Sequence, residues 1–209
     1  MPLTHGARAF AQLGTALGVT VVVTAACTSG PVQPTGPTGT PSAVVTASTA
    51  PAAAYTAVGV DLCAKADRAP LKNLKLTVES TVAKSPTSAP GAACLFEMHT
   101  QDGHEASLLV EASTLPSAGQ AEQLYRATAD VTGMKPDGDV AGLGDEASSF
   151  TKRSASGSRQ SEYLVHSRTG NLVVKVWLAV GGDSYVPEGE LAGPARTITG
   201  TTIKLIPEA

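Results

Sequence analysis

The side chains able to do chemistry are few and scattered. Nucleophilic hydrolysis needs a serine or cysteine beside a base, often on a strained elbow. No G-x-S-x-G elbow occurs, and Ser154 to Ser158 reads as a polar loop. His104 lies in a turn beside Asp102 and Glu105, with His99 and His166 elsewhere. A zinc site wants three or four convergent ligands, and this irregular spacing reads instead as a hydrated turn. Two acidic pairs, Asp137 with Asp139 and Asp145 with Glu146, flank Gly142-Leu143-Gly144. The alternating oxygen ligands of a calcium loop are missing. A backbone nest for an anion would be opposed by Asp145 and Glu146. The stretch is therefore read as a tight turn with positive φ leading into a strand. Neither catalytic residues, a metal nor a cofactor is predicted.

What remains is a surface for binding. Trp177 is the single tryptophan and shares a strand face with Val173, Lys175 and Ala179. If that face is open, Trp177 with Leu164 and His166 marks a contact surface. If a helix lies over it, Trp177 is core, and the usual burial of large aromatics favours that reading. Gly142, Gly144, Asp145, Glu146 and Trp177 are the candidate ligand or partner residues. An acidic pair such as Asp145 and Glu146 could also serve a hydrolase, since carboxylate separation is set in space and not by spacing along the chain.

These residues must be positioned by a sheet. Ala93 to Thr100 and Glu105 to Ala112 alternate, with Cys94, Phe96 and Met98 on one face and Ala106, Leu108, Val110 and Ala112 on one face, predicting a hairpin. Glu162 to Ser167 and Leu172 to Val180 predict a second, closed by a two-residue loop at Thr169-Gly170 or Gly170-Asn171. Leu74 to Val82 and Glu146 to Lys152 could add strands. Ser117 with Gln120 has capping-box spacing and opens a helix carrying Ala121, Leu124, Tyr125 and Thr128, which Gly133 and Pro136 stop. Glu188 to Leu205 carries Leu191, Ala195, Ile198 and Thr202 at helical spacing, against which Pro194 and Gly200 count; a start near Pro194 would suit proline at the first position. The expected fold is α+β: an antiparallel β-sheet packed against one or two helices, with a single disulfide.

The 209-residue chain carries a formal charge of −3 and no basic run, so no nucleic-acid partner is expected. Aromatics are 4 %, leaving the core to Val, Leu, Ile and Ala. Arg8 precedes an apolar stretch from Ala9 to Ala26, closed by small residues, which has the parts of a secretory signal. Thr24-Ala25-Ala26-Cys27 resembles the lipobox of bacterial lipoproteins, although Thr24 stands where that motif prefers Leu. The resemblance implies a signal peptide over 1–26, a lipidated Cys27 at the mature N-terminus with its diacylglyceryl and palmitate chains, and a membrane attachment. A single uncleaved membrane helix is the rival. Five prolines among Thr, Ser, Gly and Ala predict a semi-stiff disordered tether over 27–56. Cys63 and Cys94 are then left in an oxidising compartment, where a disulfide is the simplest pairing, since two cysteines fall short of a metal site.

Cys63 within Val-Asp-Leu-Cys, Cys94-Leu95-Phe96, Gly142-Leu143-Gly144-Asp145-Glu146-Ala147 and Arg168-Thr-Gly-Asn171-Leu-Val-Val together resemble exported actinobacterial lipoproteins of uncharacterised function. Those share a C…C-x-aromatic…G-L-G-D-x-A pattern, and related domains are extracellular sensor regions of membrane kinases. Phe96 stands where Trp is common. The resemblance covers about residues 60–180 and implies an α+β sheet domain, a Cys63–Cys94 bridge and a cell-envelope location, and carries over no catalytic residue. The expectation is therefore a lipoprotein anchored at the extracytoplasmic face of the cell membrane. Its domain, residues 57–209, would bind an envelope component, small ligand or protein partner without catalysis. An envelope hydrolase or a purely structural protein is the alternative.

Overall fold

The computed structural model describes residues 54–131 and 133–209. The signal peptide, the lipobox with Cys27 and nearly all of the tether lie outside the described residues. Residues 54–56, assigned above to the tether, pair with the C-terminal segment: Tyr55 bridges Glu208, and the Thr56 N–H donates to the Pro207 carbonyl at 3.0 Å.

The elements follow in the order α1 (Leu62–Lys65), a 3-10 helix (Ala69–Leu74), β1 (Thr77–Lys84), β2 (Gly91–His99), β3 (Glu105–Thr114), α2 (Ala118–Val131), β4 (Lys135–Asp139), β5 (Glu146–Ser156), β6 (Ser158–Thr169), β7 (Leu172–Gly182) and α3 (Glu188–Leu205). The strands form one seven-stranded sheet in the order β1-β2-β3-β7-β6-β5-β4, every pair antiparallel. The domain is therefore the α+β antiparallel fold that the alternation predicts. Cys63 and Cys94 are bonded, with 5.1 Å between their Cα atoms. Closing 31 residues of chain this way contributes roughly 3.5–4 kcal/mol through loss of unfolded-state entropy.

Both hairpins form. Thr169 pairs with Leu172, so the second closes at Gly170-Asn171, with Gly170 at φ +54°. Three features differ from the sequence reading. Helix α3 runs over the Glu188–Leu205 span that its spacing predicts and differs only in keeping Pro194 inside the helix instead of at its start; the ring removes one backbone bond but leaves Leu191, Ala195 and Ile198 in line for burial. Residues 135–139, expected as helix stop and turn, form edge strand β4, its register shifting between Pro136 and Gly138. An exposed edge tolerates the missing proline N–H and the bulge. The capping box is half made: Ser117 Oγ accepts from the Gln120 N–H at 3.2 Å.

The two faces of the sheet are unlike. One presents Cys94, Phe96, Leu108, Val110, Val165, Val174, Val176 and Leu178 to α1, the 3-10 helix and α3, and is dry. The other carries transverse rows set by the strand registers. Val82, Leu95, Leu109, Trp177, Leu164, Phe150 and Pro136 lie opposite one another across all seven strands, an apolar row. Beside it Lys84, Ala93, Glu111, Lys175, His166, Ser148 and Asp139 make a polar row. Helix α2 packs on β6 and β7 over part of this face.

Candidate functional site

The loop between β4 and β5 holds three of the five candidate surface residues and β5 opens with a fourth, Glu146, and the geometry of this run is dictated by Arg168. Gly142 and Gly144 have φ +78° and +82°, the left-handed region that L side chains avoid. A Cβ on Gly144 would lie 2.4 Å from the Arg168 carbonyl oxygen. The Asp145 N–H donates to that same carbonyl at 2.8 Å, and Ser167 Oγ donates to the Leu143 carbonyl at 2.7 Å. The Arg168 guanidinium, 12 % exposed, forks onto both acids: Nη1 reaches Asp145 Oδ2 at 3.1 Å and Nη2 reaches Glu146 Oε1 at 2.9 Å. Asp145 Oδ2 also accepts the Gly170 N–H at 2.8 Å. The G-L-G-D-E run is thus a clasp that pins one loop to the β6–β7 hairpin. Its carboxylates are engaged by a cation and a backbone donor, so they do not form a free acid–base pair.

That clasp shapes a cleft of about 630 Å³ between the loop and α3. Arg196, Gly200 and Lys204, one helical turn apart from each other, form its helical wall. Leu143 packs toward Gly200, where a Cβ would stand 3.2 Å from Leu143 Cδ2. Asp139 and Gly142 line the loop side. Two cations, one carboxylate and an apolar floor could hold a small polar ligand with an anionic group.

Trp177 lies elsewhere, on the opposite sheet face. It is half-buried against Met134, Phe150 and Leu164, and its indole N–H donates to Glu162 Oε2 at 3.0 Å. It joins a small satellite core, while the apolar row continues past it through Leu109 and Leu95, both half-buried. The structure does not bring Trp177 to the loop residues.

Two clusters escaped the sequence reading. Tyr163 OH donates to Asp137 Oδ2 at 2.7 Å and accepts from Arg196 Nη2 at 2.9 Å, while Ser149 Oγ donates to Asp137 at 3.1 Å. The Glu188 carboxyl and then Tyr163, as hydrogen-bond partners, hold Asp137 below its usual carboxylate range, and the same contact with Asp137 raises Glu188. These residues come from β4, β5, β6 and α3, so no local spacing signals them.

The second cluster lies beneath α2. His166 is 1 % exposed and stacks on Tyr125, ring centroids 4.7 Å apart. Tyr125 OH bonds Ser148 Oγ. Beside them Lys175 Nζ meets Glu111 Oε1 at 3.3 Å, both side chains largely buried. Burial, and then the Lys175 charge, push His166 down to about 3. The only sequence signal was a polar residue at every second position of otherwise apolar strands.

His104 faces Asp183 at 3.3 Å and not its neighbours in the turn. Among the described residues no three His, Cys, Asp or Glu side chains are placed to hold a metal ion, and no helix is long and apolar enough to cross a membrane. Comparison with protein-family models, curated proteins and solved structures gave no match.

Proposed function

We propose that the chain is an exported lipoprotein, cleaved before Cys27 and lipidated there, whose domain is a non-catalytic ligand-binding or sensor-like module at the extracytoplasmic face of the membrane. The lipobox-like sequence and the Pro/Thr-rich stretch support the anchor. A disulfide between Cys63 and Cys94 suits an oxidising compartment. The observation that carries the binding reading is the cleft beside α3, because its loop wall is held rigid by Arg168 before any ligand arrives. A preformed wall lowers the ordering cost of binding. The ligand class that fits is a small envelope component bearing an anionic group, set between Arg196 and Lys204.

The test is a thermal-shift screen of the full chain against wall fragments, lipid headgroups and small anions. A stabilising ligand should lose its effect in Lys204→Glu, which alters an exposed side chain. Silence from every class, or binding untouched by Lys204→Glu, would remove the cleft from consideration. Labelling with a palmitate analogue, abolished by Cys27→Ala, tests the anchor separately.

A hydrolase is the second reading, and one observation favours it: Asp137 and Glu188 share a hydrogen bond, so their proton affinities are driven apart as an acid and a base require. Turnover of a glycan or wall substrate, lost in Asp137→Asn, would establish it.

A further inference from the structure

Helix α2 is held to the sheet in an unusual way. Among the described side chains of α2, Ala121 and Tyr125 are deeply buried, whereas α3 buries Leu191, Ala195, Ile198, Thr199 and Thr202. The ring stack and the hydroxyl contact that Tyr125 makes fall on the polar row, at His166 and Ser148. In that row His166 Nδ1 is buried with no hydrogen-bond partner. The groups facing the imidazole come from every neighbouring element. Lys175 lies opposite it on β7, already paired with Glu111 of β3. Ser148 lies opposite it on β5 and is bonded to Tyr125. Glu146 of β5 is bound to Arg168 of β6 itself, and Asp139 of β4 ends the row next to Ser148. On α2, Tyr125 supplies the stacked ring, while Glu122 and Arg126 pair with each other at 2.5 Å. Of the flanking carboxylates, Glu111 is already balanced by Lys175 and Glu146 by Arg168. A proton on His166 would have no counter-ion in direct contact, Asp139 standing two strands away across Ser148, and Nδ1 would have no acceptor to offset its burial.

We infer that α2 is a lid whose seating on the sheet requires a neutral His166, so that acidification lifts the helix and exposes the Glu111, Lys175, His166 and Ser148 row. The segments flanking the helix suit a hinge: Pro116 precedes it and Gly133, at φ +61°, follows it. The inference stands whether or not the cleft beside α3 binds a ligand, because it concerns the opposite face of the sheet.

The sign follows from linkage. With α2 seated, His166 takes up a proton only near 3; with α2 lifted, the solvated imidazole takes it up near its ordinary 6.5. Above about 6.5 both forms are neutral and pH has no effect through this residue. Below it the open form gains about tenfold per pH unit, a rise of roughly 25-fold between pH 7 and pH 5.

Amide hydrogen exchange of Ala118–Val131 in the full chain, corrected for the intrinsic effect of pH, measures this directly. The expected result is that roughly 25-fold acceleration at pH 5, with β3 and β7 remaining protected. His166→Phe keeps a ring for stacking but has no titrating group, and should abolish the pH dependence; His166→Gln should do the same. An equal acceleration in both variants, or none in the parent chain, would overturn the lid. If neither variant folds, the NMR titration of His166 in the parent chain decides. A ring that titrates near 6.5 while α2 stays protected refutes the inference, and one that fails to titrate until α2 opens sustains it.

Discussion

The sheet is covered by a helix on each face, and the two interfaces obey different physics. Under α3, Ile198, Leu191 and Ala195 meet Val165, Val176 and Leu178 in a dry core. Cohesion of those apolar contacts scales with the area removed from water and is indifferent to pH, although α3 also carries Arg196 and Glu188 of the titrating Asp137 cluster. Under α2, Tyr125 makes a ring stack on a neutral histidine and a hydroxyl pair with Ser148, and a buried ion pair lies in the same row. Such groups contribute little net energy when satisfied and cost much when one partner is lost or changes charge. One helix is built to stay; the other is held on condition.

Substitutions on the two faces should separate these regimes. Ile198→Ala, cutting a fully buried side chain under α3, should cost about 2–5 kcal/mol by urea unfolding, with the same penalty at pH 5 and pH 7. Lys175→Met, which strands Glu111, should cost about 3–5 kcal/mol at pH 7. Adding Glu111→Leu should recover most of that loss, which no α3 double substitution would mimic. A full recovery failure would show that the pair does more than satisfy itself. Gly144→Ala, forced into left-handed backbone against the Arg168 carbonyl, should lose about 1–2 kcal/mol from conformation alone and more from the clash. Its effect should fall on the cleft and leave α2 exchange unchanged.

The pH profile sharpens the contrast. His166 is depressed in the native chain, so stability through this group is whole above about 6.5, falls by at most about 1.4 kcal/mol per pH unit below that, and levels off near 3. Urea midpoints from pH 8 to 4 should show this slope and His166→Phe should remove it. Tyr125→Phe, which deletes only the hydroxyl bonded to Ser148, should cost about 0.5–1.5 kcal/mol in the same assay. A smaller value would mean that the ring stack alone seats the helix.

Much of the dry face was readable from the chain, because alternation reports burial on one side. Cys94, Phe96 and Met98, or Leu172, Val174 and Val176, announce their strands and their shared face. Strand β4 was not readable: Lys135-Pro-Asp-Gly-Asp139 has neither apolar alternation nor β-branched residues, and it pairs only because β5 offers an edge. The span of α3, Glu188 to Leu205, was legible from its spacing; only the start that Pro194 would suit fails, because tertiary packing keeps that residue inside the helix. The candidate site was partly legible. The glycine-rich run was rightly read as a positive-φ turn, but its acids look free in sequence and are bound to Arg168, which belongs to another hairpin. The Asp137 cluster and the row under α2 depend on strand register and on contacts between remote segments, which single-residue patterns do not encode.

One small residue ties the ends of this arrangement together. The Asn171 side chain accepts the Tyr55 N–H at 2.6 Å and donates both to the Tyr55 carbonyl at 3.2 Å and to the Leu115 carbonyl at 2.9 Å, just ahead of α2. Tension arriving along the backbone at Tyr55 is therefore borne by the same amide that steadies the base of the helix. In a tethered molecule, mechanical load and acid would converge on one moving part.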